Sequence, residues 1–465
     1  MPVNSFESYP MSWRPKISKN GSPLYLTIAD ALERDIKSGL LLPNDKLPPQ
    51  RELADFLDVN LSTITRAFKI CETKGLISGK TGSGTFVSSD VNANLPMLYD
   101  SSENELINLG ASHPLYIHNK YVVQLIKKLP SKINVENLLR YYNISGTYSQ
   151  KESAHIYLKN LGISTNIENI LITSGLQNSL AIILASLFEA KDKIITNSVV
   201  YPGFKNIASM LGIILVPIPY LDKKLDLKYL DQICKSESIK GIYLMADFQN
   251  PTTITMDEEE RFCLNEYIKK YNLIGIEDGT YSFLNKEPNK SFYEINPNQM
   301  IHISTLSNSI SAGLRIAFLV SPYEYRDKLL AGIRNINVMS SPVESEIISQ
   351  LIQSGMAKKI VDEKRKEIEK RNKICDEILG EYELWGNNRC QFRWLLLPSN
   401  LDSQQVEQQL YQRKIEVFSS KRFLVGNATY QSALRLAITS PQTIKQLKNG
   451  LNIIKSVLEK SILRK

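Results

Sequence analysis

Short apolar runs alternate with amphipathic stretches along the chain from residue 107 to its end. The runs are NILITS, KIITN, GIILVPIPY, GIYLMADF, LIGIED and MIHISTL, and helical patterns separate several of them. Strands that alternate with helices are typical of a largely parallel sheet covered by helices. Towards the C-terminus, long charged helices accompany isolated strands such as RWLLLP, which indicates a smaller α+β subdomain. The pattern therefore predicts an α/β fold for residues 107–465.

The composition excludes several classes of protein. Among 465 residues, 43% are hydrophobic and 22% are charged, which is typical of a globular chain. No apolar run approaches the roughly 18 residues of a membrane span, and the N-terminus lacks a signal-peptide core, so we expect a cytoplasmic protein without a membrane partner. Five scattered cysteines and four histidines show no metal-ligand spacing, so we expect buried, reduced thiols and neither disulfides nor a metal site. The net charge of +8 is compatible with nucleic-acid binding without establishing it.

The first 90 residues carry a helical pattern that ends in a hairpin. Apolar Ile28, Leu32 and Ile36 recur at the spacing of one helix face. Capping and turn residues divide the segment further. The predicted elements are helices over Tyr25–Ser38, over Gln50 to about Leu57, and from Asn60 or Ser62 to about Gly75, and a hairpin in GLISGKTGSGTFVSS. Two helices joined by a short turn and followed by a basic hairpin predict a winged helix-turn-helix, whose last helix enters the DNA major groove.

The third helix, NLSTITRAFKICETKG, carries polar residues suited to DNA. Small hydroxyl groups and an arginine at a helix start suit phosphate and base-edge contacts. The segment from Val59 to Thr85 has four basic residues and one acidic residue, a local net charge of +3. Charge alone does not distinguish a DNA-binding helix from an ordinary polar surface helix, but the whole pattern favours DNA. The exposed residues of the first turn are predicted to be Ser62, Thr63, Thr65 and Arg66.

The segment LPPQRELADFLDVNLSTITRAFKICETKGLISGKTGSGTFV resembles the DNA-binding domain of GntR-type bacterial regulators. The resemblance implies that Arg51 and the recognition-helix residues contact double-stranded DNA, and that Gly84 of the wing reaches the minor-groove side. Lys80, one of the basic residues counted in this segment, is a further candidate for DNA contact. Pro49 stands where serine is commoner. We expect a DNA-binding domain over residues 20–88. Residues 89–106 are polar and aperiodic, which predicts a linker before the α/β domain.

Polar residues follow several of the predicted strands. In parallel sheets, ligands bind beyond the carboxyl ends of the strands. A glycine turn at Ser174–Asn178 opens a helix and can hold a phosphate on backbone N–H groups, although most such turns contain glycine for geometry alone. Asn250-Pro251, Asp278–Tyr281 and Asn308 follow later strands, and Arg315 comes shortly after.

These motifs together resemble the fold-type I aminotransferases, which use pyridoxal phosphate (PLP). Six elements occur in the family's order: the glycine turn, Tyr201-Pro202-Gly203, N-P, D-x-x-Y, a segment similar to [ST]-x-S-K-x-x-x-x-G-x-R, and a late arginine in LRL. The resemblance covers roughly residue 107 to the end. A fold-type I domain that follows a GntR-type DNA-binding domain resembles the MocR-type subfamily of GntR regulators.

The resemblance implies a role for each matching residue. Asp278 pairs with the pyridine nitrogen of PLP, Asn250 and Tyr281 bond its phenolic oxygen, and Tyr201 stacks on its ring. Arg435 clamps an amino-acid carboxylate in a bidentate pair. Taken singly, a buried aspartate that caps a turn or an arginine in a structural ion pair is an equally good interpretation. The residues implied to hold the phosphate are Gly175, Leu176, Gln177, Thr305, Ser307 and Arg315.

The chain departs from the family at one decisive position. Asn308 stands where the family has the lysine that forms the Schiff base with PLP, and no lysine lies between Lys290 and Lys328 to replace it. Asparagine has no amine, so it forms no internal aldimine and shuttles no α-proton. Ala312 also replaces the usual proline. Three hypotheses remain: PLP or a PLP–amino-acid adduct binds without a covalent bond, another amino-acid or phosphate ligand has replaced it, or the cleft is a dimerisation scaffold without ligand.

The favoured hypothesis is a homodimeric DNA-binding transcriptional regulator whose aminotransferase-like domain senses PLP or an amino-acid-related ligand. A head-to-tail dimer with two DNA-binding domains predicts paired half-sites on the operator. One alternative is a PLP-dependent aminotransferase that carries a DNA-binding domain, and Asn308 counts against it because turnover needs the amine. The other is a ligand-independent dimeric repressor. We assign no catalytic residue.

Overall fold

A computed structural model gives the structure of residues 11–15, 17, 23–37, 40–41, 45–74, 76–80, 84–88, 106–132, 134–426 and 428–463. The chain divides into two compact units, Met1–Pro96 and Met97–Lys465. The predicted linker, apart from residue 106, lies outside the described residues. So do the hairpin tip at 81–83 and residues 20–22 of the predicted DNA-binding domain.

The N-terminal unit has the predicted three helices and hairpin. The side chains of Ile28, Leu32 and Ile36 are buried together with Ile64 and Phe68. The two hairpin strands are antiparallel. The elements are α1 (Leu24–Lys37), α2 (Gln50–Leu57), α3 (Leu61–Thr73), β1 (Ile77–Lys80) and β2 (Gly84–Val87).

The turn between α2 and α3 depends on two polar residues. Asp58 ends α2 in the left-handed conformation, with φ of 52°, and its N–H bonds carbonyl groups of α2. Asn60 begins α3, because its Oδ1 accepts the N–H of Ser62 at 2.9 Å. Of the two candidate caps, Asn60 is therefore the N-cap, and its side chain satisfies one of the unpaired N–H groups of the first turn.

The second unit is built on a seven-stranded sheet. The strands from residue 107 to residue 320 are β3 (Ile107–Asn108), β4 (Ile170–Thr173), β5 (Lys193–Asn197), β6 (Ile214–Ile218), β7 (Tyr220–Leu221), β8 (Lys224–Leu225), β9 (Ile239–Leu244), β10 (Ile274–Asp278), β11 (Met300–Thr305) and β12 (Ala317–Val320). The strand order of the large sheet is β4-β12-β11-β10-β9-β5-β6, and all neighbours are parallel except at β12, which is antiparallel to both β11 and β4.

The six apolar runs of the sequence all form strands of this sheet, so the predicted α/β architecture is confirmed. The sequence analysis missed β12, which is only four residues long. Strands β4, β11 and β12 are buried along their whole length. Helices on both faces explain this burial, and the carboxyl ends of the parallel strands meet at one edge.

Helices cover the sheet and connect it to a smaller subdomain. The longest, α14, has 24 residues and is about 36 Å long. The helices are α4 (Asn119–Lys132), α5 (Tyr148–Asn160), α6 (Leu176–Leu187), α7 (Pro202–Met210), α8 (Leu227–Ser236), α9 (Glu258–Lys270), α10 (Phe292–Ile295), α11 (Leu306–Ser309), α12 (Arg326–Asn337), α13 (Pro342–Gln353), α14 (Met356–Leu379), α15 (Ser403–Gln412) and α16 (Ile444–Leu463).

The small subdomain is α+β, as predicted from its mixed pattern. Its sheet has the order β13-β14-β17-β16 and is antiparallel throughout. A separate short strand, β15, pairs in parallel with β3. The run RWLLLP supplies β14. The strands are β13 (Leu384–Trp385), β14 (Arg393–Leu396), β15 (Ile415–Glu416), β16 (Phe418–Ser419) and β17 (Ala433–Leu436).

The cysteines agree only in part with the expectation of buried thiols. All five are free; Cys71, Cys375 and Cys390 are buried, Cys234 is half-buried and Cys263 is exposed. Cys263 lies on a side of α9 that faces solvent. Within the described ranges, no helix is long and apolar enough to cross a membrane. The same residues contain no group of three or more histidine, cysteine or acidic side chains that could hold a metal ion.

We expect Asn60→Ala to destabilise the start of α3. Loss of an N-cap side chain costs about 1 kcal/mol, which corresponds to roughly five-fold faster amide exchange where α3 opens locally. Hydrogen–deuterium exchange of a peptide covering residues 61–73 of the full-length protein measures this effect. Asn60→Ser retains a capping oxygen and is the control; equal exchange in both variants would contradict the capping role.

Candidate functional site

The first turn of α3 presents the predicted DNA-contacting residues. Ser62, Thr65 and Arg66 are exposed, and Thr63 is half-buried. The hydroxyl group of Thr65 donates to Gln50 Oε1 at 2.8 Å, which joins α3 to the start of α2. Oriented polar groups at a helix start are the arrangement with which helix-turn-helix proteins read the major groove.

Arginine side chains flank this turn. The guanidinium group of Arg66 lies 4.4 Å from the centre of the Tyr25 ring, a cation–π contact that limits its freedom while it stays exposed. Arg51 is exposed on the first turn of α2. The structure therefore places two cations beside the exposed face of α3.

Lys46, which lies beside the wing, is a residue that the sequence analysis missed. Gly84 has φ of +113°, and a Cβ there would lie 3.1 Å from the Cε of Lys46. Lys46 is exposed and bridges to Phe86, so its chain segment runs beside the wing. No local pattern relates Lys46 to the hairpin, because the contact is made by folding. The side chain of Lys80 lies outside the described residues.

In the second unit, Gly175 and Arg315 face each other at the end of β4. Gly175 has φ of +87°, and a Cβ at this position would lie 2.6 Å from Arg315 Nη2. Gly175 begins α6 without a side-chain cap, so the N–H groups of the first turn are free of a capping side chain. A helix start with uncapped N–H groups beside a guanidinium group has the charge and the donors that bind a phosphate.

Two residues near the end of β11 complete this group of donors. Arg315 Nη1 donates to Ser307 Oγ at 2.8 Å. Thr305 begins α11 and its hydroxyl oxygen accepts the N–H of Ser307. The residues that the sequence assigned to one phosphate site, although far apart along the chain, are thus brought together. We call the set Gly175, Leu176, Gln177, Thr305, Ser307 and Arg315 the anion cradle.

Tyr201 lies beside the cradle. Gln177 Nε2 donates to the Tyr201 hydroxyl oxygen at 2.6 Å. Burial raises the pKa of Tyr201 to about 12, so its hydroxyl group is protonated at neutral pH. Gly203 in the first turn of α7 allows this approach, because a Cβ there would lie 1.9 Å from Gln177 Nε2.

Asp278 is the last residue of β10 and is fully buried. Its Oδ2 accepts the hydroxyl group of Tyr243 at 2.7 Å. Its Oδ1 accepts the N–H of Thr280 at 3.0 Å and a short bond from the Thr280 hydroxyl group. Burial raises the pKa of Asp278, and these hydrogen bonds oppose the rise. Because a carboxylate has about four acceptor positions, one remains for a further donor.

The sequence analysis missed Tyr243. It lies in β9, and its ring stacks on Phe204 with ring centres 3.8 Å apart. Only the pairing of β9 with β10 brings it to Asp278. Within the apolar run GIYLMADF it looks like an ordinary core residue.

Arg435 joins the small subdomain to the central sheet. Its Nη1 donates to Asn250 Oδ1 at 2.8 Å and its Nη2 to the carbonyl oxygen of Gly110 at 2.5 Å. Its Nε has no hydrogen-bond partner although it is buried. The guanidinium group also lies between 5.0 and 5.6 Å from the rings of Phe392, Phe418 and Phe423.

Arg435 lacks a carboxylate partner among the described residues, although its side chain is 1% exposed. Burial lowers its pKa to about 10, which still leaves it charged at neutral pH. Glu416 is close enough for its charge to act on Arg435, but it forms no direct ion pair with it. A buried cation without a direct ion-pair partner is costly, so this position favours a bound anion. Tyr281 lies nearby, buried edge-on against Phe392 at 5.2 Å.

Asn308 lies half-buried in α11, between the cradle and the protein interior. Its backbone carbonyl oxygen accepts Lys364 Nζ at 2.9 Å, and so does that of Ile310. Lys364 lies in α14 and is another residue that the sequence analysis missed. Nothing in the sequence of this highly charged helix indicates that Lys364 points inward.

Two protein families match this chain. Residues 24–87 match the family described as bacterial regulatory proteins, gntR family. Residues 104–452, more than half of the chain, match the family described as aminotransferase class I and II. The two matches fall in the helix-turn-helix unit and in the unit with the central sheet, respectively.

Whole-length relatives share both parts. The HTH-type transcriptional regulator YdeF of Bacillus subtilis is 38% identical over 459 residues, which cover 99% of each chain. The HTH-type transcriptional regulator NorG of Staphylococcus aureus is 24% identical over 431 residues, which cover 86% of this chain and 97% of NorG.

Solved aminotransferases share the fold of the second unit. Kynurenine aminotransferase of Pyrococcus horikoshii superposes with a TM-score of 0.72 at 21% identity, over 77% of this chain and 92% of that protein. The α-aminoadipate aminotransferase LysN of Thermus thermophilus superposes with a TM-score of 0.70 at 17% identity, over 78% and 94% of the two chains. At these identities the likeness shows a fold-type I architecture. The chain therefore belongs to the HTH-type transcriptional regulators in which a GntR-family helix-turn-helix is fused to an aminotransferase class I and II domain.

Proposed function

We propose that this regulator binds PLP in its aminotransferase-like domain without a covalent bond and senses an amino-acid-related ligand there. The observation that carries the proposal is the cluster in which the anion cradle contacts Tyr201 and in which Asn308 follows Ser307 of the cradle. The anion cradle, Asp278 and Arg435 supply partners for a phosphate, a ring nitrogen and a carboxylate. A purely structural cluster needs no buried arginine without a direct ion-pair partner.

The DNA-binding surface is proposed to consist of the sequence-predicted residues and one addition. The exposed hydroxyl groups and Arg66 of α3 face the major groove, where side chains of this kind contact phosphates and base edges. Lys46 beside Gly84 adds a cation to the wing. The proposed residues are Arg51, Ser62, Thr63, Thr65, Arg66, Lys80 and Gly84, with Lys46.

The cradle fits the phosphate of PLP. Arg315 supplies a charge-assisted donor, and the N–H groups of Leu176 and Gln177 supply neutral donors at the positive end of α6. The absence of a side chain at Gly175 leaves room beside Arg315, because a Cβ would occupy that space. Ser307 orients the guanidinium group through its hydroxyl oxygen.

The remaining groups fit the ring. PLP supplies an aldehyde that combines reversibly with amines and a ring that withdraws electrons. Asp278 has an acceptor position left for a protonated ring nitrogen. The protonated hydroxyl group of Tyr201 and the side chains of Asn250 and Tyr281 supply polar contacts around it. Asn308 contributes no amine, so the chain holds the cofactor by these contacts alone.

Arg435 is proposed to bind the carboxylate of the effector. Its Nε lacks a partner, and both terminal nitrogens bond neutral oxygens that an anion can displace or share. The three surrounding phenylalanine rings exclude water and strengthen a charge pair there. The effector is therefore an amino acid or a compound with the same carboxylate.

We also propose a homodimer. Large apolar side chains are exposed in the segment from residue 116 to 156, where Leu139 is 74% and Tyr141 is 88% exposed. A concentration of apolar surface of this kind marks an interface, and symmetric pairs of identical chains are the commonest assemblies. Two helix-turn-helix units on one dimer read paired half-sites on the operator. Others in this segment are Ile117, Val123, Ile126 and Tyr148.

We expect Arg66→Ala to weaken DNA binding by about ten-fold, because it removes one cation from the recognition helix, and to leave the aminotransferase-like domain folded. Titration of a duplex selected from a random library, at several salt concentrations, measures both the affinity and a fall of about one in the salt slope. Lys74→Ala removes the same charge from the far end of α3 and is the matched control. Unchanged affinity in the Arg66 variant would refute the assignment of the recognition helix.

We expect PLP to bind saturably and to leave on dialysis, with no adduct after borohydride treatment, because Asn308 has no amine. Ring absorbance and protein fluorescence follow the titration, and mass spectrometry tests for an adduct. Asn308→Lys is expected to give a borohydride-stable adduct at position 308. Arg315→Gln is expected to weaken PLP binding at least ten-fold through loss of the charged donor, whereas the exposed control Arg334→Gln is not.

If the wild-type protein fails to bind PLP under these conditions, the cofactor proposal falls and the DNA-binding proposal stands. DNA affinity that is unchanged by PLP, alone or with amino acids, would favour a ligand-independent dimeric regulator. Sustained product formation in a transamination assay would instead establish an enzyme.

We expect Arg435→Gln to retain PLP binding and to lose the response to amino acids. Glutamine keeps hydrogen-bonding capacity but cannot neutralise a carboxylate, so the affinity for the effector falls roughly 100-fold or more. The change in ring absorbance on addition of amino acids to the PLP-loaded protein measures this. An equal response in wild type and variant would place the carboxylate elsewhere.

A further inference from the structure

Lys364 is a buried lysine without an acidic partner among the residues described. It lies near the middle of α14, and its side chain is 1% exposed. Its Nζ donates to two backbone carbonyl oxygens, those of Asn308 and Ile310, at 2.9 Å each. The neighbouring Arg365 also bonds backbone carbonyl groups, those of Phe283 and Asn285. This part of α14 therefore supports the segments that follow β10 and β11.

The two carbonyl groups belong to the C-terminal end of α11. This helix has a single turn, so carbonyl groups beyond that of Leu306 lack a helical partner. Lys364 supplies their donor and places a cation at the negative end of the helix. On its other sides, Ser307 accepts Arg315 and Ser309 Oγ accepts the hydroxyl group of Tyr157 at 2.8 Å. The turn that carries Asn308 is thus held by side chains from α5 and α14 and from the cradle.

Packing alone gives no reason for an amine at this position. Burial lowers the pKa of Lys364 to about 7, so the folded protein loses free energy by keeping the ammonium form out of water. The nearby charged groups are His118, whose pKa is lowered by burial and then by Lys364, and Glu363, which His118 approaches at 3.6 Å. An apolar side chain of similar length would avoid this cost, but it would leave the Asn308 and Ile310 carbonyl oxygens without their donor.

We propose that Lys364 is a positioning residue of the PLP site: its bonds to the Asn308 and Ile310 carbonyl oxygens hold α11 in the arrangement that presents Ser307 and Asn308 to the cofactor. This inference rests on the proposed binding of PLP. Lys364 lies outside the anion cradle but sets its geometry through α11, because Ser307 of that helix in turn orients Arg315. In a chain without the covalent lysine, the cofactor's place depends on such orientation.

The test compares PLP binding by the full-length wild type, Lys364→Met and Lys364→Arg. We expect the methionine variant to bind PLP at least ten-fold more weakly and to change the circular dichroism of the bound ring. The arginine variant retains a cation and is expected to recover most of the affinity. Lys366→Met removes an exposed lysine of the same helix and is expected to behave like the wild type.

Hydrogen–deuterium exchange of the PLP-free proteins gives a second measurement. A peptide covering residues 306–314 is expected to exchange faster in Lys364→Met, while the strands of the central sheet keep wild-type protection. If Lys364→Met does not fold, Lys364→Gln is a smaller uncharged change that takes its place.

Three outcomes overturn the inference. Wild-type binding with equal affinity and ring dichroism in Lys364→Met refutes it and leaves the proposed function intact. Failure of the wild type to bind PLP refutes the proposed function and this inference together. A borohydride-trapped PLP adduct on Lys364 also refutes it, because the amine would then react with the cofactor instead of holding α11.

Discussion

The hydrogen bond from Arg435 to Asn250 is the interaction on which the cleft depends. It joins β17 of the small subdomain to the carboxyl edge of the central sheet. Backbone pairing between residues 198–200 and 423–425 joins the same two parts. The bond from Arg435 is the one that brings the proposed carboxylate-binding group to the proposed ring site. Because the bond connects a buried cation to a neutral amide, a carboxylate ligand competes for the guanidinium group on favourable terms. In the proposed function, the same contact therefore links the two parts of the site and favours an anionic ligand.

The second constraint is the turn of α11. The sequence resemblance implies that this turn corresponds to the one that carries the covalent lysine in aminotransferases. Here the turn carries Asn308 and is held by Tyr157, Arg315 and Lys364. In the proposed function, an asparagine at this position forms no aldimine, while the anion cradle and Asp278 remain available to a phosphate and a ring nitrogen. Reversible binding of a cofactor by these groups is what the proposed sensing role requires.

The fold and many candidate residues could be predicted from the sequence because their signals are local. Helical spacing and a capping asparagine are enough to place the elements of the helix-turn-helix. Strand-length apolar runs likewise predict six of the strands of the large sheet. The missed β12 has only four residues, and the misjudged Cys263 lies on a side of α9 that faces solvent. The shortness of β12 and the position of Cys263 on its helix explain these two errors, and composition reveals neither feature.

The sequence by itself determined the residue types of the site and their order: a glycine turn, Asp278, Asn308, Arg315 and Arg435. It determined that no amine stands at position 308. Only the tertiary structure decided which further groups support them, since Tyr243 reaches Asp278 through strand pairing and Lys364 reaches Asn308 across 56 positions of the chain. The physical reason is that a side chain's neighbours depend on packing between elements distant in sequence, whereas a motif depends only on spacing within one element.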